Sequence, residues 1–208
     1  MSEEQTVFLV DDEWAVRSGL TFVIGSVGIQ VRAYESCEDF LEAYDGGESG
    51  CLLLDVRMQG MSGLELQQEL RSRDWTIPVI VITGHGDVPM AVEAMQQGAV
   101  DFLEKPLREQ VLLDSIQKAF ALDVKLRERE ATSAELCERL ASLTPRERQV
   151  MDLVVDGKAN KVIAMDLGVS TKTVEFHRAN LMRKMRVESL AELVRQLSQM
   201  AQIEELEN

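Results

Sequence analysis

Apolar residues in the first half of the chain fall in short runs at regular spacing: Val7-Phe8-Leu9-Val10, Ile29 to Tyr34, Cys51-Leu52-Leu53-Leu54, Val79-Ile80-Val81-Ile82 and Ala99 to Leu103. The first, third and fourth runs are near-continuous, which predicts strands buried on both faces, as in a parallel sheet. Helical periodicity fills the intervals. Val88, Ala91, Val92 and Met95 repeat at i, i+3, i+4 and i+7, with Asp87 placed as an N-cap and Gly98 as a stop. Leu64, Leu66 and Leu70 mark another helical segment ahead of Pro78. Five strands, each followed by a helix, predict an α/β fold, a doubly wound (βα)5 parallel sheet with helices on both faces.

From Arg108 to Leu143 there is no glycine and no proline, and strong helix formers dominate. Leu112, Ile116 and Ala119 give the sheet's last helix a core-facing stripe. Beyond Ala121 charges alternate (Lys125, Arg127, Glu128, Arg129, Glu130), which reads as an exposed, semi-rigid helical linker, and an apolar stripe resumes at Leu136, Leu140 and Leu143. Thr144-Pro145-Arg146-Glu147 is a strong helix start, with a cap, a proline at the first position and a glutamate three after the cap. Val150, Met151, Leu153 and Val154 form its apolar face and Gly157 ends it. A second helix runs from Lys161 to Leu167, and a third starts at Thr171 with Ser170 as its cap. The small Ala164, the turn at Gly168 and the packing residue Val174 have helix-turn-helix spacing, with Ile163, Leu167 and Val169 as core. The chain thus divides into a sheet domain over 5–122, a helical linker over 123–142 and an all-α unit over 143–208.

Composition narrows the functional classes. With 45% apolar and 28% charged residues the chain is neither disordered nor a membrane protein. Its longest uncharged stretch, Ser18 to Val31, is 14 residues, short of the ~18 that a membrane span needs. Glu3 and Glu4 stand where a secretory signal would be basic. Cys37, Cys51 and Cys137 are scattered, without a CxxC pair, which argues against a disulfide framework or zinc site and fits a reducing cytoplasm. The formal net charge of -14 hides a split. Residues 1–120 carry 8 basic and 21 acidic side chains, whereas Lys158 to Arg186 carries seven basic residues against only Asp166 and Glu175. A local charge of +5 in an acidic protein is a hint of a nucleic-acid surface.

In a doubly wound sheet, ligands sit beyond the carboxyl ends of the strands. Asp11 and Asp12 end the first strand, Asp55 the third and Thr83 the fourth, and Lys105 follows the fifth. Carboxylates converging on one crevice repel one another unless a cation neutralises them. Oxygen ligands without His or Cys favour a hard ion, Mg²⁺. With that charge offset, Asp55 can attack a phosphorus centre while the Lys105 ammonium balances the incoming oxygens and Thr83 supplies a hydroxyl to one of them.

The segments VFLVDDE, CLLLDVRMQGMSG, VITGHGDV and DFLEKP resemble the receiver domain of bacterial two-component response regulators over roughly residues 5–122. The resemblance implies Asp55 as phosphoacceptor and Mg²⁺ on Asp12, Asp55 and the backbone carbonyl of Arg57, with Asp11 acting mainly through water. It implies Thr83 as switch hydroxyl, Lys105 as phosphate-binding cation, Phe102 as an aromatic whose rotamer follows the switch, and a cis Lys105–Pro106 bond. One departure stands out. Relatives usually carry proline at the position of Gln59, and its loss is expected to loosen the loop without removing a chemical group. His85 reads as an exposed histidine.

The segment LTPRERQVMDLVVDGKANKVIAMDLGVSTKTVEFHRANLMRKM resembles the four-helix LuxR/NarL-type output domain. That resemblance makes 171–185 the recognition helix. Thr171, Lys172 and Thr173 then anchor DNA phosphates, helped by Lys161, Arg183 and Lys184. Glu175, Arg178 and Ala179 fall at base edges, and His177 touches backbone or packs inward. The order of modules resembles the FixJ group. It implies a cytoplasmic transcription regulator that a sensor histidine kinase phosphorylates on Asp55, and that then dimerises, binds promoter DNA and works with RNA polymerase. Two rivals are a phosphorylation-independent DNA-binding protein with a vestigial receiver and an aspartyl-phosphate phosphohydrolase. Arg57 where a hydrolase needs a second acid, and the lack of a capping insertion, weigh against the latter.

Overall fold

The five apolar runs form the strands β1 (Thr6–Val10), β2 (Gln30–Tyr34), β3 (Gly50–Asp55), β4 (Val79–Thr83) and β5 (Asp101–Glu104), joined in one parallel sheet of order β2-β1-β3-β4-β5. The computed structural model describes residues 5–84 and 88–207, with side chains as far as residue 198. Asp87 and His85 lie outside the described residues. The chain folds into two compact units, Met1–Glu128 and Arg129–Asn208.

β1, β3 and β4 are buried along their whole length, as their unbroken apolar runs require. Pleating sends Val7, Leu9, Cys51, Leu53, Ile80 and Ile82 to one face, where they meet Leu20 and Ile24 of α1 (Trp14–Ser26) and Leu112, Ile116 and Ala119 of α5 (Glu109–Ala141). Phe8, Val10, Leu52, Leu54 and Val81 face the other way. They meet α2 (Cys37–Ala43), α3 (Gly63–Ser72) and α4 (Val88–Gln96). β2 is an edge strand, and its exposed Arg32 pairs with Glu48.

α4 departs from its sequence pattern. Its apolar stripe points outward: Val88, Val92 and Met95 are exposed and Ala94 is the buried residue. Periodicity identified the helix but not which side faces the core.

The glycine-free, proline-free stretch is one helix of 33 residues. Its middle is less exposed than alternating charges suggest. Asp123, buried, accepts hydrogen bonds from Ser49 Oγ (2.6 Å), the Gly50 amide (3.0 Å) and Arg127 Nε (2.9 Å). Arg127 also donates to the carbonyls of Gly47 and Glu48. These bonds hold the helix against the amino end of β3, where Gly50 lies so close to β1 that a Cβ would meet the Thr6 carbonyl oxygen at 1.9 Å.

The second unit holds the end of α5 together with α6 (Pro145–Val155), α7 (Asn160–Leu167), α8 (Thr171–Met185) and α9 (Leu190–Glu207). Thr144 and Glu147 form the expected capping box, Gly168 closes α7 in a left-handed conformation (φ 64°), and Ser170 caps α8. Val150, Val154, Ile163, Ala164 and Val174 form one core cluster. Leu136, Leu143, Met151, Leu181, Met185 and Leu193 form a second.

Candidate functional site

Pairing of β1 with β3 brings their carboxyl ends together, and so delivers Asp11 and Asp12 beside Asp55. β4 contributes Thr83, and Lys105 follows β5. Asp11, Asp55 and Thr83 are all buried, Asp55 with 4% of its surface exposed. The Lys105 ammonium lies 2.7 Å from Asp11 Oδ2 and 3.0 Å from Asp55 Oδ1. Its hydrogen bond goes to Asp11, and Asp55 Oδ1 stays buried without an aligned donor.

Burial pushes the Asp55 carboxyl above the ordinary carboxylate range. The Lys105 ammonium beside it opposes this, and the charge of Asp11 adds to it. Lys105 is pulled down by burial, but its pairing with the two carboxylates of Asp11 and Asp55 prevails and holds the ammonium above its ordinary value. Phe102 packs half-buried against the sheet core, and the Lys105–Pro106 peptide is cis.

The β3–α3 loop wraps the acids with main-chain amides at alternate residues. Arg57 N–H donates to Asp55 Oδ2 (3.1 Å), Gln59 N–H to Asp12 Oδ2 (3.2 Å) and Met61 N–H to Glu38 Oε1 (3.3 Å). Gln59 does more than lose the ring of a proline, because its amide is a donor that proline lacks. Gly63 lets α3 close on the strand end, since a Cβ there would stand 2.2 Å from the Asp55 carbonyl oxygen. Sequence reading also missed Arg17, whose guanidinium donates to the Asp11 carbonyl at 2.6 Å. No spacing rule marks a helix residue that reaches back to a strand end.

The donor set suits a hard cation. Asp55 Oδ1 is buried and accepts no aligned hydrogen bond although the Lys105 ammonium lies 3.0 Å away, and the carboxylates of Asp12 and Asp55 offer oxygen ligands. Among the described residues no three His, Cys, Asp or Glu side chains form a ready-made cage. Asp11 is engaged by Lys105 and by the Glu13 amide (2.8 Å). An ion drawing on Asp12 and Asp55 therefore needs a carbonyl and waters, the mixed shell that Mg²⁺ accepts.

In the second unit α7 and α8 form the helix-turn-helix. Lys172, Glu175, Ala179 and Arg183 share one exposed face of α8 at i, i+3, i+7 and i+11, and Thr171 lies exposed at its first turn. Thr173 is half-buried at the cap, beside the Ser170 hydroxyl. Phe176, 63% exposed, sits on that same face next to half-buried His177 and was not anticipated. The signal was available, because Phe176 falls off the Val174–Leu181–Met185 core stripe. Arg178 donates to Asn160 Oδ1 at 3.0 Å. Lys161 is exposed at the start of α7. Lys184 is turned elsewhere: its ammonium bonds the buried Glu147 carboxylate (2.7 Å) and the Ser142 carbonyl (2.9 Å). Lys158 and Arg186 likewise pair with Asp166 and Glu135, so the +5 of the sequence overstates the charge left for DNA.

Residues 7–117 match the response regulator receiver domain family, and residues 141–197 match the bacterial regulatory proteins of the luxR family. The transcriptional regulatory protein FixJ of Azorhizobium caulinodans is 47% identical over 195 residues, covering 94% of this chain and 92% of that one. Nodulation protein W of Bradyrhizobium diazoefficiens is 46% identical, covering 93% and 86%. The structure of the response regulator StyR aligns with a TM-score of 0.84 at 45% identity, covering 94% of this chain and 98% of that one. The two family matches lie in the same order as the two units, the relatives cover nearly the whole length, and the chain belongs to the two-component response regulators, as a transcriptional regulator of the FixJ group.

Proposed function

We propose that phosphorylation of Asp55 by a sensor histidine kinase switches this regulator into a promoter-binding homodimer. The observation that carries the reading is Asp55 Oδ1 itself, buried, 3.0 Å from the Lys105 ammonium and lacking an aligned donor. A carboxylate oxygen so placed attacks phosphorus as the P–N bond of the kinase's phosphohistidine breaks, and the histidine nitrogen recovers a proton. Lys105 balances phosphoryl charge, and the Thr83 hydroxyl bonds a phosphoryl oxygen as Phe102 changes rotamer. Asp12, Asp55 and the Arg57 carbonyl would hold Mg²⁺, with Asp11 reaching it through water; the ion supplies charge neutralisation for the incoming phosphoryl oxygens.

The exposed stripe of Val88, Val92 and Met95 on α4 supports dimerisation, because an apolar face at the switch end of the sheet gains from being covered by a second copy. A dimer presents two α8 helices to half-sites about one helical turn apart. The sheet unit through Arg127 accepts the phosphoryl group, the rest of α5 connects, and 143–208 binds DNA. The regulator works in the cytoplasm, and its partners are a sensor histidine kinase, promoter DNA and RNA polymerase. A phosphoryl contact favouring the active state by ~3 kcal/mol changes the state ratio more than a hundredfold. The test is incubation with acetyl phosphate and MgCl₂, followed by mapping of the modified residue and sizing of the product. Modification confined to Asp55, with a doubled mass in solution, supports the reading. An unmodified Asp55 under every donor overturns it.

A further inference from the structure

The amides of Arg57, Gln59 and Met61 donate in turn to the carboxylates of Asp55, Asp12 and Glu38. The segment is bent, with Gly60 in a left-handed conformation (φ 81°), and this one stretch of loop serves three acids from separate parts of the unit. The outer rungs have further support. Arg57 belongs to the turn that closes through the bond from the Gly63 amide to the Val56 carbonyl (3.0 Å), and Met61 leads directly into the capping box of Ser62 and Glu65. The middle rung, Gln59 to Asp12, bridges the loop to the end of β1 at an exposed position.

Asp12 differs from its neighbours. Asp11 is buried and fixed by Lys105 and the Glu13 amide, and Asp55 is buried against Lys105. Asp12 is half-exposed on a loop, and a carboxylate there samples several rotamers unless something holds it. A main-chain amide on one oxygen restricts that freedom while leaving the other oxygen open. Hydrogen bonds to a ligating carboxylate orient it and set metal affinity from outside the coordination shell.

We propose that the Gln59 main-chain N–H is a positioning group for cation capture, holding Asp12 through Oδ2 so that its second oxygen is presented to Mg²⁺ together with Asp55. This rests on the reading of Asp12 and Asp55 as the cation's carboxylates. The side chain of Gln59 plays no part. The distinction matters because only one natural substitution removes the donor, and that residue is proline, which the resemblance places at this position in relatives. This chain therefore holds Asp12 in a way that a proline-bearing loop does not.

The experiment compares Gln59→Pro with Gln59→Ala in the full-length protein. Mg²⁺ binding is followed by the NMR shifts of the Glu13 and Arg57 amides as MgCl₂ is added, and folding is checked by thermal unfolding. Gln59→Ala keeps the N–H and should match the wild type. Gln59→Pro should weaken Mg²⁺ binding about tenfold, the lower end of the range for outer hydrogen bonds to metal ligands, without losing the folded spectrum. Equal affinity for Gln59→Pro and wild type, or tighter binding by Gln59→Pro, overturns the proposal. So does an equal loss in Gln59→Ala, because the side chain would then be responsible. If Gln59→Pro fails to fold, Gln59→Gly decides: it keeps the amide with a freer backbone, and a loss of affinity there of tenfold or more also overturns it. Failure of the underlying reading looks different. The wild type would then show no Mg²⁺-dependent shifts, or shifts that survive in Asp55→Asn.

Discussion

The Lys184 ammonium lies 2.7 Å from Glu147 Oε2, which ties the last turn of α8 to the first turn of α6. Glu147 is buried and already closes the capping box with Thr144, so a single carboxylate serves a helix start and an inter-helix ion pair. Removing one partner of such a pair leaves the other unsatisfied, and because the Lys184 side chain keeps 24% of its surface in water the cost is about 2 kcal/mol. Lys184→Met should therefore lower the unfolding midpoint of the second unit. Arg183→Ala, one residue earlier but exposed, should leave the midpoint unchanged and weaken DNA binding. Thermal unfolding and a binding titration on both variants separate the two roles.

The same carboxylate sets an acid limit. Burial acts to raise Glu147, but the bonds from Lys184 and Thr144 prevail and hold it below its ordinary value of 4.5. A carboxylate lowered on folding contributes stability that is present above its unfolded pKa and lost as pH falls through the folded one. The second unit should thus lose stability below about pH 4.5, its ordinary value, and Glu147→Gln should flatten that acid limb. Circular dichroism melts from pH 7 to pH 3 measure it.

Asp55→Asn should abolish labelling by acetyl phosphate. It should also stabilise the sheet unit by about 1 kcal/mol, because one of the converging charges at Asp11, Asp12 and Asp55 is removed from a buried site. A destabilised variant would mean that the pairing of Asp55 with Lys105 outweighs the repulsion.

Val92→Glu, at a position 48% exposed on α4, should change stability by less than about 0.5 kcal/mol. It should nonetheless abolish the phosphorylation-dependent dimer seen by sedimentation. A folded, phosphorylated and still dimeric variant would place the interface elsewhere.

On α8, Lys172→Ala should weaken binding to all sequences alike and lower the slope of log affinity against log salt by about 1. Arg178→Ala should instead relax preference at one base pair, by ~1–3 kcal/mol. Competition titrations at two salt concentrations distinguish them.

Sequence made the sheet legible because a strand buried on both faces leaves an unbroken apolar run, as in β1, β3 and β4. The acids of the site were legible because they fall at the ends of those runs. What stayed hidden has a common cause, in that one-dimensional patterns carry no direction. The i, i+3, i+4, i+7 stripe of α4 looks the same whether it faces the core or solvent, and here it faces solvent. The basic count around α8 does not reveal that Lys184, Lys158 and Arg186 are spent on carboxylates. Main-chain donors such as Gln59 N–H leave no trace in residue type, except where proline would forbid them.

The Asp123 and Arg127 contacts bear on where the chain can be cut. A fragment that stops at residue 122 keeps every strand and the helix stripe of Leu112, Ile116 and Ala119, yet it strips the acceptor from the Gly50 amide and the Ser49 hydroxyl and uncovers the carbonyls of Gly47 and Glu48. The excised receiver that behaves as the intact one does should run at least through Arg127, ten residues past the end of the receiver-family match at 117.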